Sequence, residues 1–177
     1  MAELMLADAT RKGVINARSL RLPIVLVRDA SAAPTVSDLV ASIVHEPLQG
    51  RDIECALAPN TPLSVTSVTA AAKALIKLSG VPDGELPTSR AINLPSLTAT
   101  PSQMIEAVKQ MELQRRIGKV TFKPDPAIQV IVDGWPSEMA SDRALSLGIK
   151  ADDRIDDVVH DYVTRKLGLA IKGSCND

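Results

Sequence analysis

The segment Leu20-Arg-Leu-Pro-Ile-Val-Leu-Val-Arg28 limits the possible folds of this 177-residue chain more than any other. It is short, apolar and rich in β-branched residues, so it reads as a buried strand, and such a strand needs cover on both faces. Pro23 donates no ladder hydrogen bond, which points to an early or edge position. The loop from Asp29 to Thr35 follows, and helical periodicity returns over residues 36–46 (Val36, Leu39, Val40, Ile43, Val44). Residues 51–57 read as a strand and 59–66 as a proline-containing connector. Ser67 suits the N-cap of an alanine-rich helix running to about Leu78. After a Gly- and Pro-rich loop, Arg90 to Leu94 is a short strand. Thr100-Pro101 opens a helix, with Gln103 placed for a capping box, that runs to about Arg116. Lys119 to Phe122 is a strand, and Asp125-Pro126 starts a helix through about Val132. Helices near 1–12, 138–147 and 152–167 complete the pattern. Strands alternating with helices give the class α/β or α+β, with residues 1–177 as a single domain.

Composition narrows the function. The chain has one Trp, one Tyr and one Phe. Its core is therefore built from Ala, Val, Ile and Leu, and recognition by stacking on bases or sugars is excluded as the main mode. Lysine plus arginine is 20 against 21 acidic residues. That balance gives no excess of cations for a phosphate backbone, so no nucleic-acid partner is expected. No apolar run is long enough to span a bilayer, so no membrane partner is expected. The first residues lack the basic start and continuous apolar stretch of a signal peptide, so a cytoplasmic protein is expected. Cys55 and Cys175 are too far apart for a disulfide framework or a metal spacing, and His45 and His160 are the only histidines. G-x-G-x-x-G, Walker, H-E-x-x-H, C-x-x-C and G-x-S-x-G motifs do not occur. Neither a cofactor nor a metal is expected.

Four segments nevertheless carry a resemblance: Met1 to Asp8, Leu20 to Arg28, Ile43-Val-His-Glu-Pro-Leu-Gln-Gly50, and a long tail. The tail reads Pro124-Asp-Pro-Ala-Ile-Gln-Val-Ile-Val-Asp-Gly-Trp-Pro136 and then Arg143-Ala-Leu-Ser-Leu-Gly-Ile-Lys-Ala-Asp152. In this order they resemble the C-terminal, substrate-side half of extended short-chain dehydrogenases/reductases, in the NAD-dependent epimerase/dehydratase branch. The resemblance implies a truncated sheet with flanking helices, rearranged or dimeric. It also implies that the glycine-rich cofactor loop and the catalytic Tyr-x-x-x-Lys lie outside this chain. The local string Tyr162 to Lys166 is out of place in the family order and reads as a surface i,i+4 pair.

The substrate side departs from the family. Where the family carries Arg-Pro-Gly and a following lysine, this chain has Arg28-Asp29-Ala30-Ser31-Ala32-Ala33. Where the family carries an arginine, histidines and a tryptophan, it has Pro62-Leu63-Ser64-Val65-Thr66-Ser67. Without those bidentate donors, a surviving pocket suits a neutral, largely apolar molecule.

Candidate catalytic residues are Arg28, Asp29 and His45. Arg28 and Asp29 end the buried strand, where α/β proteins place ligands; an ion pair or a loop-capping Asp also fits. His45, near a helix C-terminus, is either a capping residue or a ligand-facing acid/base. Candidate substrate-binding residues are Leu63, Ser64, Val65, Thr66, Ser67, Asn93, Ser96 and Trp135. Ser67 also fits a helix cap, Asn93 a turn, and Trp135 a packing anchor. The pocket is expected between the end of strand 20–28, the connector 62–67 and the stretch 93–98, with His45 and Trp135 as possible walls. Three functions follow. The first is a cofactor-independent, non-redox enzyme that isomerises or cyclises an apolar small molecule in secondary metabolism. The second is a substrate-binding fragment of an NAD-dependent epimerase/dehydratase or sugar-acid dehydrogenase. The third is a non-catalytic binding module. A homodimer is expected, because half of an α/β sandwich leaves apolar faces uncovered.

Overall fold

Pro23 cuts the run expected to be one strand. The computed structural model, which describes residues 1–26, 35–111, 113 and 115–167, has β1 at Ser19–Arg21 and β2 at Ile24–Leu26, in two different sheets. Proline lacks the N–H that would carry one ladder across the run, so the chain leaves one sheet and enters another. Arg28, Asp29 and most of the loop after them lie outside the described residues.

β1 pairs in parallel with β5 (Ala91–Asn93), Leu20 opposite Ile92. β2 pairs in parallel with β4 (Leu63–Ser67), Ile24 opposite Val65. The other edge of β4 takes β6 (Leu97–Ala99) antiparallel, Leu63 opposite Ala99 and Val65 opposite Leu97. β3 (Ile53–Cys55) pairs in parallel with β7 (Val120–Phe122). The expected connector 59–66 is thus corrected: from Leu63 onward it is the middle strand of a sheet, and all five of its residues are buried.

Helices cover both faces of that sheet. α2 (Val36–Leu48) opens on a reciprocal Thr35–Asp38 capping box, and α4 (Pro101–Lys109) on the expected box of Thr100 and Gln103. With α7 (Ile155–Leu167) they bury Val40, Val44, Met104, Val108, Val159 and Val163 against Leu63 and Val65. α4 stops seven residues short of the expected Arg116. Beyond the helix, Arg116 reaches back to the Gly50 carbonyl at 2.6 Å and to the Asp52 carboxylate at 2.6 and 2.7 Å. Those bonds set β7 beside β3.

On the opposite face, α3 (Val68–Ser79) is capped by Ser67, whose hydroxyl accepts from the Ala70 amide at 2.9 Å. Ala71, Ala74 and Leu78 pack with Ile92, Leu94, Ile149 and Ala144, the last from α6 (Asp142–Ser146). α1 (Ala2–Arg11) and α5 (Pro126–Asp133) complete the helices, α1 with no buried residue. The expected surface pair at Tyr162 is also corrected. The ring is 3% exposed in the core, and its hydroxyl accepts from Gln49 Nε2 at 3.1 Å. A phenol is mostly hydrocarbon, and one polar partner suffices to bury it. Cys55 is a small core residue whose thiol is pushed upward in pKa by burial.

Candidate functional site

Side chains alternate along β4, so its two faces are different surfaces. Leu63 and Val65 enter the core beneath α2, α4 and α7. Ser64 and Thr66 face the other way. Ser64 lies opposite Thr98 on β6, and Thr66 lies opposite Val25 on β2. Three hydroxyls therefore share one sheet face.

Two of the three are satisfied by the C-terminal segment. Thr98 donates to the Ser137 carbonyl at 2.9 Å. Thr66 donates to Asp152 Oδ2 at 3.1 Å. The same carboxylate accepts from the Ser67 amide at 2.8 Å and the Ser67 hydroxyl at 2.7 Å. The third is different. Ser64 is 4% exposed, and its Oγ has no hydrogen-bond partner among the described residues. A buried hydroxyl left in that state costs about 1–3 kcal/mol.

Ser64 is also part of the wall of a cleft of about 430 Å³, within the size range of small-molecule sites. The chain corner at Leu22, Pro23, Ile24 and Val25 forms one side of it. Trp135, Pro136 and Met139 form the other, and Ser37 from the first turn of α2 closes an end. Trp135 follows α5, its amide donating to the Val132 carbonyl at 2.9 Å, and its ring also packs against the main core. Met139 is fixed by Ser96: the Ser96 hydroxyl accepts from the Met139 amide at 2.8 Å, and the Ser96 amide donates to the Met139 carbonyl at 3.0 Å. No described lining residue carries a charge.

The residues singled out in the sequence are thus dispersed. Ser64 and Trp135 meet in the cleft, with Ser96 one hydrogen bond behind it. Leu63 and Val65 face the core, while Thr66 and Ser67 are held by Asp152. Asn93 ends β5, 3.5 Å from Arg21 Nη1. His45 is buried in the last turn of α2, with Nδ1 3.1 Å from the Ala41 carbonyl and Nε2 2.7 Å from Glu46. Eight residues of helix, about 12 Å, separate it from Ser37, and it is not among the residues lining the cleft. Glu46 also binds Arg51; that hydrogen bond, followed by the nearby His45, holds its carboxyl below the usual range. Sequence reasoning missed the wall at 22–25, Met139 and Asp152. The Gly-Trp-Pro turn at 134–136 was the available signal for the far wall; nothing in the sequence marks Asp152 as the partner of Thr66.

No family model matches the chain. Among curated proteins it is 35% identical over 170 residues to a D-erythronate dehydrogenase of Cupriavidus necator, covering 96% of this chain and 52% of that one. It is 30% identical over 163 residues to the D-erythronate dehydrogenase of Haemophilus influenzae, covering 92% of this chain and 52% of that one. In three dimensions it resembles a nucleoside-diphosphate-sugar epimerase from Agrobacterium tumefaciens, with a TM-score of 0.84 at 24% identity, over 96% of this chain and 50% of that one. The chain spans about half the length of the curated relatives it matches.

Proposed function

We propose that this chain, a homologue of the D-erythronate dehydrogenases over about half their length, forms the substrate-facing part of an NAD-dependent dehydrogenase. One observation carries the reading: the match runs through nearly all of the chain. It favours a dehydrogenase segment over the cofactor-independent cyclisation that the neutral composition alone implied.

Among the described residues, the turn from β4 into α3 does not fit a dinucleotide. A pyrophosphate needs free backbone amides at a glycine-rich turn between strand and helix. The turn from β4 into α3 carries no glycine, and the Asp152 carboxylate already takes the Ser67 amide there. What the chain supplies is the cleft. Its walls present a mostly apolar surface, and Trp135 and Met139 shape it.

A chimera tests the proposal. Residues 1–177 replace the matched half of the Cupriavidus necator dehydrogenase, and NADH formation is followed with D-erythronate and a panel of uncharged secondary alcohols. Turnover of at least one of them is expected. A folded chimera that binds NAD and oxidises none of them overturns the reading.

A further inference from the structure

We infer that the cleft beside Ser64 takes a small uncharged molecule with an apolar body and one hydrogen-bond-accepting oxygen, which the Ser64 hydroxyl donates to. The inference deepens the substrate-site reading above and rests on its placement in this cleft.

The hydroxyl row is the argument. Thr98, Ser64 and Thr66 lie on one sheet face, and the C-terminal segment supplies a partner for the first and the last. The middle hydroxyl is buried and unpartnered among the described residues, and Ser64 lines the wall of a cleft. An apolar residue here would fill the same space without an unmet hydrogen bond. A carbonyl or ether oxygen entering from the cleft meets that need once a small shift of the wall uncovers the Oγ. The described lining offers a carboxylate or phosphate no cation to offset its loss of water. Leu22, Ile24, Val25 and Met139 accept only hydrocarbon. The described lining therefore favours a different charge class from the anion for which the D-erythronate dehydrogenases are named.

Trp135 is the sole tryptophan, so its indole N–H gives a single resonance that reports on the cleft. The full chain is titrated with cyclohexanone, and separately with cyclohexanecarboxylate at neutral pH, without any dinucleotide. A saturable indole shift with cyclohexanone is expected, with the carboxylate at least tenfold weaker. Ser64→Ala should weaken cyclohexanone binding about three- to tenfold, the span of one net hydrogen bond, without lowering the melting temperature. Ser64→Cys, a weaker donor of nearly the same shape, should fall between and guards against a packing artefact. Equal affinity in all three proteins, a carboxylate that binds as tightly as the ketone, or no saturable shift overturns the inference. Because no cofactor is present, that failure is distinct from failure of the chimera.

Discussion

The two faces of β4 put alternate residues of one short strand to opposite ends. Leu63 and Val65 are 2% and 0% exposed and meet hydrocarbon on every side. Ser64 and Thr66, at 4% and 0%, are buried just as deeply but depend on named polar partners, and one has none among the described residues. Burial alone therefore does not tell a stability residue from a candidate binding residue. The state of its hydrogen bonds does.

Substitutions along the strand separate the faces. The largest effect is expected from Leu63→Ala, which opens a cavity in the packed face and lowers stability by about 2–5 kcal/mol in urea unfolding. A loss under 1 kcal/mol would show that this face is loosely packed. Asp152→Ala comes next. It removes the acceptor for Thr66 and Ser67 and should cost about 2 kcal/mol, much of it recovered if Thr66 and Ser67 are themselves replaced by Ala. Simple additivity of the three changes would disprove the shared carboxylate.

A smaller change belongs to neither face and serves as a control. The Arg51 guanidinium, then His45, hold the Glu46 carboxyl below its usual value. A depressed carboxylate contributes stability that is complete above the unfolded value of about 4.3 and is lost as pH falls through the folded one. The melting temperature of the wild type should thus fall more steeply than that of Glu46→Gln on acidification below about pH 4.3, with the two curves parallel near neutrality. Parallel curves throughout would remove Glu46 from the account. The smallest effect is expected from Ser64→Ala, whose stability should stay within about 1 kcal/mol of wild type or rise, since it deletes an unmet hydroxyl. A loss near that of Leu63→Ala would mean that Ser64 is a packing residue after all.

Local signals in the sequence were legible where the chemistry is local. The Thr100–Gln103 box, the Ser67 cap and the Asp125-Pro126 helix start each bond within three residues, and each is found. β4 was not legible. Pro62 and three hydroxyls read as a connector because the partner that allows Thr66 and Ser67 to be buried is Asp152, 86 and 85 residues away. The neutral character of 63–67 goes with burial in a sheet, and only Ser64 of that run lines the cleft. Tyr162 was misplaced for a similar reason, since its partner Gln49 is 113 residues distant. α4 ends at Lys109, and Arg116 beyond it binds Asp52, 64 residues away, a pairing no local window contains.

Pro23 gives the molecule a corner rather than a long strand. The strand before it belongs to one ladder and the strand after it to another, so the two sheets meet across Leu22 and Pro23, the latter with no amide hydrogen. In hydrogen exchange such a residue is a silent mark between two clocks. Leu20 times the opening of the β1–β5 pair, and Val25, five positions on, times that of β2–β4–β6. Should the clocks run at different rates, the wall of the cleft is a boundary between two cooperative units, and a ligand seated against Leu22 to Val25 would slow both by holding the corner still.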